Sequence, residues 1–230
     1  MIVGAIDHTT GTRDIHELSG LGRKQPLLAC LATISAASMA GIPPFFGFVA
    51  KEAALETVLH EELLTGMPGN ITLVVLVAGS ILTMAYSVYF VHGAFATKKS
   101  QGNTTSEAVR EMHHVGPTLW LSPAVLTVGT IAFGVYPARL SDAINQHLGV
   151  RFPDVEAGEL KLWHGITIPL ILTAVIIAAG AIMFWQRDLV KKAQFERPAL
   201  GDANALWDNL LKTLRNPVSY THLTLPTKRI

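Results

Sequence analysis

The sequence predicts an all-α, polytopic membrane helical bundle. It expects about four transmembrane helices after the last turns of a truncated N-terminal one, with the first complete helix, residues 26–64, discontinuous. Three observations carry this reading. Half of the 230 residues are apolar and only 15% are charged, against roughly a quarter charged in an ordinary soluble domain. The deficit is concentrated in four runs, Pro26–Ala50, Gly69–Thr97, Val115–Ala138 and Leu162–Gln186, each of them long enough to cross a bilayer as a helix. Lysine and arginine, finally, favour alternate connectors, as the positive-inside rule requires of an even number of crossings.

The opening MIVGAI is apolar, but it is too short for a signal h-region and lacks a basic start. It reads as the end of a span whose beginning lies elsewhere, with Met1 as an internal methionine. The connector Asp7–Gln25 is basic through Arg13, Arg23 and Lys24. A short helix is expected over Asp14–Leu18 and a turn at Gly20–Gly22.

The first complete span is the unusual one. As a straight rod, residues 26–64 would extend nearly 60 Å at about 1.5 Å per residue, roughly twice the hydrocarbon thickness of a bilayer. Pro44 has no N–H to donate, and Pro43 is pushed out of the α region by the proline that follows it. The helix is therefore expected to open between Gly41 and Gly47, with Gly41, Pro43, Pro44 and Gly47 forming the break. Broken backbone at membrane depth is tolerated only where it faces protein or a water-filled cavity, the setting in which transporters place their ion sites.

Lys51 follows one turn beyond Gly47. A lysine can simply end a span and snorkel to the head groups. Here the helical AALETVLHEELL continues past it, where a span end would be followed by loop, so an intramembrane function is the preferred reading. Glu52 is its neighbour on a different azimuth of the helix and is not automatically its partner. Desolvation favours a neutral amine and a nearby carboxylate restores the ammonium, so a lysine whose partner comes and goes can load and unload a proton.

Glu56, Glu61 and Glu62 make the next connector acidic; Lys98, Lys99 and Arg110 make the one after the second span basic. The segment Arg139–Lys161 dilutes three basic residues and is read as a connector. Asp7–Gln25, Thr97–His114 and the tail are placed in the cytoplasm. Pro117, Pro123 and Pro169 are expected in the first turns of the last two spans, and Trp120, Trp163, Trp185, Tyr89 and Tyr136 near span ends, as an aromatic belt.

Three divisions follow: residues 1–195 as a transmembrane domain, 196–216 as an amphipathic surface helix with Leu206, Trp207, Leu210 and Leu211 on one face, and 217–230 as a non-native tail resembling a translated library adaptor. No nucleotide loop, hydrolytic triad or paired-carboxylate pattern is present, which argues against an enzyme and against any cofactor. There is no basic cluster for nucleic acid. Cys30 is the sole cysteine, and the adjacent His113 and His114 would diverge on a helix, a poor metal pair. His8 and His92 are better placed to exchange protons near neutral pH, the alternative for each being a hydrogen-bonded structural histidine.

The pieces DHTTGTRD, SGLGRKQP, AGIPPFFGF and the following KE, together with GSILTMAYSVYFVHGAF and LWHGITIPLIL, resemble the antiporter-like domain found in the A subunit of multisubunit sodium/proton (Mrp-type) antiporters. More distantly they are similar to the large antiporter-like subunit of respiratory complex I. The resemblance covers most of residues 1–216. It implies a proton relay that ends at Lys51, with His8 at the loop end of another broken helix, and an earlier glutamate–lysine pair outside this sequence. It also implies an internal fragment of a multi-pass cell-membrane protein. That fragment would exchange a monovalent cation, Na⁺ first, for H⁺ within a hetero-oligomer of membrane subunits in the lipid bilayer, and only there. The alternatives are a proton-pumping subunit of NADH:quinone oxidoreductase or a membrane hydrogenase, and a stabilising subunit without a relay.

Overall fold

The computed structural model describes residues 1–60, 66–98, 104–113, 116–151, 159–163, 165–190, 207 and 209–212, which are helical or connecting throughout. Met1–Gln186 form one compact unit and Arg187–Ile230 another. Within the second unit Trp207 and residues 209–212 are helical, with Trp207, Leu210 and Leu211 exposed. The rest of the expected surface helix and the 217–230 tail lie outside the described residues.

Helix α1, Ile2–Thr10, ends at Gly11 in the left-handed conformation. The short helix expected over Asp14–Leu18 is instead a turn. The Asp14 carboxylate accepts the His16 amide at 2.7 Å and its carbonyl accepts the Glu17 amide at 3.1 Å, an aspartate side chain competing with helical bonding. Where Gly20–Gly22 was expected to be only a turn, Gly20 instead leads into a one-turn helix α2, Leu21–Lys24.

Proline starts α3, Pro26–Ala40, where its missing donor costs nothing. Helix α4, Phe46–His60, follows after a five-residue interruption in which the Pro43–Pro44 peptide is cis. The first complete helix is thus discontinuous, as its two prolines dictate. Helix α5, Met67–Phe95, is followed by the short α6, Glu107–Arg110, and then by α7, Pro117–Val135. Pro123 lies inside α7 rather than in its first turn, and its carbonyl accepts the Thr127 hydroxyl at 2.7 Å. Helix α8, Ala138–Arg151, occupies a stretch expected as connector. Its residues are too polar for a span, and the helix is started by Pro137, whose carbonyl accepts the Leu140 and Ser141 amides. Helix α9, Ile168–Trp185, is capped by Thr167, whose hydroxyl oxygen accepts the Leu170 amide.

Three helices, α5, α7 and α9, are long and apolar enough to cross a membrane. Only 17–22% of their most apolar windows is buried within the chain, so the remaining surface of Val74, Val125, Ile171 and similar residues faces outward. Such surface is stable against lipid or other membrane helices. Helices α3 and α4 hold 15 residues each, about 22 Å apiece at 1.5 Å per residue, so neither spans alone.

The connectors before α3 and after α5 bind each other, which means that α3 with α4 crosses once and α5 returns. Ser19 is the hub. Its hydroxyl donates to the Thr104 carbonyl at 2.7 Å and accepts the Lys98 amide at 3.1 Å, while its amide donates to Ser106 Oγ at 3.2 Å. Lys24 Nζ donates to the Val109 and Arg110 carbonyls, both at 2.7 Å, and Lys98 Nζ donates to the Ile15 and Leu18 carbonyls. Beneath them Ile6, Leu18, Leu21, Leu28, Phe95 and Val109 form a buried core. Burial holds the Lys98 amine below the ordinary lysine range, an effect that the Asp14 carboxylate opposes. Lys98→Ala is expected to free residues 15–18, raising their amide hydrogen-exchange rates by on the order of tenfold or more; unchanged rates would show that the ammonium does not hold this turn.

Candidate functional site

The break is built by a glycine cap, a proline pair and two close approaches. Gly41 closes α3 at φ 81°, with its amide bonded to the Ser38 carbonyl and the Ile42 amide to the Ala37 carbonyl, each at 3.0 Å. This left-handed cap satisfies two of the four carbonyls that a helix end leaves open. Lys51, in the second turn of α4, reaches back across the break and donates from Nζ to the carbonyl of Ala40 at 2.9 Å. A side chain on the second half-helix thereby caps the C-terminus of the first.

Charge and geometry agree. The C-terminal end of a helix carries partial negative charge and favours a cation, and the ammonium is half-buried there. Gly41 is required twice over. Its φ is in the left-handed region, and a Cβ at this position would lie 2.7 Å from Lys51 Cδ, so the lysine stem passes through space that any other residue would fill.

Glu52 turns the other way. Its side chain is buried, 3% exposed, and Oε1 accepts the Thr167 hydroxyl at 3.4 Å, beside the N-terminus of α9, where a carboxylate is favoured by the helix dipole. Lys51 and Glu52, adjacent in sequence, thus serve opposite ends of two different helices. Gly47 lies against α3 so closely that a Cβ would fall 1.7 Å from the Ser38 carbonyl oxygen, and its amide donates to Ser38 Oγ at 3.3 Å.

His92, in the last turn of α5, packs edge-on against Phe184 with ring centroids 5.5 Å apart. It lines a cavity of ≈ 480 Å³ between α3 and α5, to which Thr33, Ala40, Ile42 and Ser87 also contribute. The cavity joins His92 to the residue whose carbonyl holds Lys51. His8 is exposed at the end of α1 and does not line it. Of the histidine pair, His113 is exposed with its amide bonded to the Thr9 carbonyl, and His114 lies outside the described residues. Among the described residues no group of three His, Cys, Asp or Glu is placed to hold a metal ion.

Sequence reading missed the contribution of α7. Ser35 meets Thr127 at 3.2 Å and Ser38 meets Thr130 at 2.6 Å, hydroxyl to hydroxyl. A Cβ on Gly134 would lie 2.2 Å from the Pro44 carbonyl oxygen. The available signal was the matching three-residue spacing of hydroxyls in both helices.

A broken helix whose second half caps the first with a lysine, inside a bundle of outward-facing apolar helices, is an arrangement found at the ion sites of transporters. Residues 1–83, which contain α1 to α4 and much of α5, match the model of the family described as NADH:quinone oxidoreductase/Mrp antiporter, TM. Over that part of its length the chain is similar to this family. It is 33% identical over 190 residues to the Na(+)/H(+) antiporter A1 subunit of Staphylococcus aureus strain Newman, a match covering 80% of this chain and 23% of that protein. The A1 sequences of strains COL and MRSA252 give the same figures. The structure of the Mrp complex from Dietzia sp. DQ12-45-1b superposes on all of the chain and 24% of its counterpart, with a TM-score of 0.71 at 25% identity. The chain therefore spans about a quarter of the length of these relatives.

Proposed function

We propose that this chain is the segment of a membrane cation/proton antiporter subunit that carries the last titratable amine of an intramembrane proton relay. Lys51 is the carrier, and Na⁺ is the cation exchanged for H⁺. The observation behind this reading is the Lys51 ammonium folded back onto the Ala40 carbonyl at the break.

In this arrangement the carbonyl and the helix end hold the protonated form. Swinging the side chain off Ala40 leaves the amine among apolar groups, which favours loss of the proton. Regaining a proton restores the cap. Lys51 is the sole Lys or Arg between Pro26 and Phe95, so neighbouring lysines do not duplicate its role. His92, across the cavity from Ala40, is proposed as the group that exchanges protons with it from the side of the docked connectors, through changes on the microsecond-to-millisecond scale of side-chain and helix motion. Glu52 is proposed to serve the opposite side through Thr167, and His8 the connector surface.

The partners are the other membrane subunits of a hetero-oligomeric complex in the cell membrane. The experiment is cation-driven proton flux in vesicles holding the complex with a full-length subunit that contains this segment. Lys51→Ala is expected to lower flux to the background of empty vesicles, whereas normal flux from a well-assembled Lys51→Ala complex would remove the lysine from the mechanism.

The family's description also includes NADH:quinone oxidoreductase, so a redox-driven proton pump is the second reading. It is separated by the driving force, because flux that requires a quinone reductant rather than a cation gradient would establish it.

A further inference from the structure

The relay reading concerns Lys51; the packing around the break concerns what holds Lys51 in place. We propose that α7 is the positioning element of this lysine. Thr130, bonded to Ser38, and Gly134, seated on Pro44–Phe46, fix the two half-helices at the separation at which the ammonium meets Ala40. The proposal rests on Lys51 as the proton carrier and adds to it residues from a different helix.

Four contacts converge on the break from α7. The Ser38–Thr130 hydroxyl pair at 2.6 Å sits one turn above the Ser35–Thr127 pair at 3.2 Å. Ser38 Oγ also accepts the Gly47 amide at 3.3 Å, so one oxygen ties together α3, α4 and α7. A Cβ on Gly134 would lie 2.2 Å from Pro44 O and 2.6 Å from Phe46 N, which places the α7 backbone directly against the interruption. Phe46 and Phe133 close the contact edge to face, with ring centroids 6.3 Å apart.

The polarity of these contacts singles them out. Helix association in a bilayer gains nothing from burying apolar surface, since lipid is equally apolar, and proceeds through close packing and hydrogen bonds between helices. Both devices are present where α7 meets the break. The link from Ser38 to Lys51 is short. Ser38 lies two residues before Ala40, the lysine's acceptor, and Gly47 lies four residues before Lys51, one turn of α4 away. A shift of α4 against α3 at Gly47 therefore moves Nζ relative to the Ala40 carbonyl.

The charges around Lys51 make its response readable. Helices α3, α7 and α9 contain no Asp, Glu, Lys, Arg or His, and α5 contributes His92 together with Tyr86 and Tyr89. On α4 itself Glu52 is turned to Thr167, Glu56 is exposed and His60 ends the helix. Thr130 itself does not titrate, so a change at Thr130 that alters the pH dependence of exchange must act through how a titratable group is held.

The test is the pH dependence of cation-driven proton flux in the assembled complex, with Thr130→Val, Thr130→Ser, Ser38→Ala and Lys51→Ala compared at matched amounts of complex. Thr130→Val is expected to displace the pH midpoint by about half a unit or more, the effect of losing one hydrogen bond, and Thr130→Ser to return it. Should Thr130→Val fail to assemble, Ser38→Ala breaks the same bond from the other side and is expected to give the same displacement. An unchanged midpoint in an assembled Thr130→Val or Ser38→Ala complex, alongside inactive Lys51→Ala, overturns the positioning role alone. Active Lys51→Ala overturns the carrier reading and the positioning role with it. Failure of both hydroxyl variants to assemble makes the pair purely structural, and it too overturns the proposal.

Discussion

Gly47→Ala is expected to prevent stable assembly. One methyl group is added, but it is added at a point where a Cβ would lie 1.7 Å from the Ser38 carbonyl oxygen and 2.6 Å from the carbonyl carbon. The obstacle is backbone, not the free end of a side chain, so relief requires moving α3 and α4 apart. That movement stretches the Gly47–Ser38 bond and, through Ser38, the bond to Thr130. Overpacking a well-packed site costs about 1–3 kcal/mol, and loss of the hydrogen bonds at the same point adds about 1 kcal/mol each. The sum, roughly 3–5 kcal/mol, is a large part of the net stability of a typical domain. Native gel electrophoresis of membranes expressing the variant should show the complex strongly depleted. Full assembly with parental flux would mean that the half-helices do not approach as described. A useful contrast is Gly79→Ala in α5, where a Cβ meets nothing within 4 Å and parental assembly is expected.

The comparison of these two glycines shows what was legible in the residues and what was not. The prolines before Gly47 marked it as belonging to the break, but nothing in the sequence showed that it would lie against the Ser38 carbonyl while Gly79 lies in open space. The break was legible because proline acts locally: Pro43 and Pro44 deny the backbone its geometry whatever surrounds them. Spans were legible because an uncharged run of the right length has few alternatives. The polarity of connectors was enough to put Asp7–Gln25 and Thr97–His114 on one side, and the bonds from Ser19, Lys24 and Lys98 join those two segments.

What could not be read was tertiary. Helix α8 lacks the strong apolar periodicity that would separate it from a polar connector, and it is held in part by Ser141, whose buried hydroxyl accepts the Leu160 amide at 3.2 Å. Lys51 could be singled out by type and position, but its acceptor is a backbone carbonyl, and every residue has one. The same holds for Gly134, whose value lies in the neighbour it allows. His8 and His92 were equal candidates as sequence, and the cavity distinguishes them, because it includes His92 and not His8.

Lys51→Arg is the change that separates a proton carrier from a membrane anchor. Arginine snorkels as well as lysine, carries the same charge and can donate to the Ala40 carbonyl. If Lys51 merely ends a span or caps α3, the arginine variant keeps both its assembly and whatever exchange the complex performs. A relay asks for more, because its carrier must give the proton up. The guanidinium does not deprotonate in proteins, so the charge that holds the cap can never be released. Lys51→Arg is therefore expected to assemble at parental abundance while proton flux falls at least a hundredfold, and raising the external pH should not recover it. Lys51→Gln tests the other half, since its neutral amide has no proton to pass on, and flux is expected to be lost there as well. Two variants, one always charged and one never charged, bracket the property that matters. Substantial flux in either would place the exchanged proton on a group other than Lys51, with His92 and Glu52 the next to be replaced.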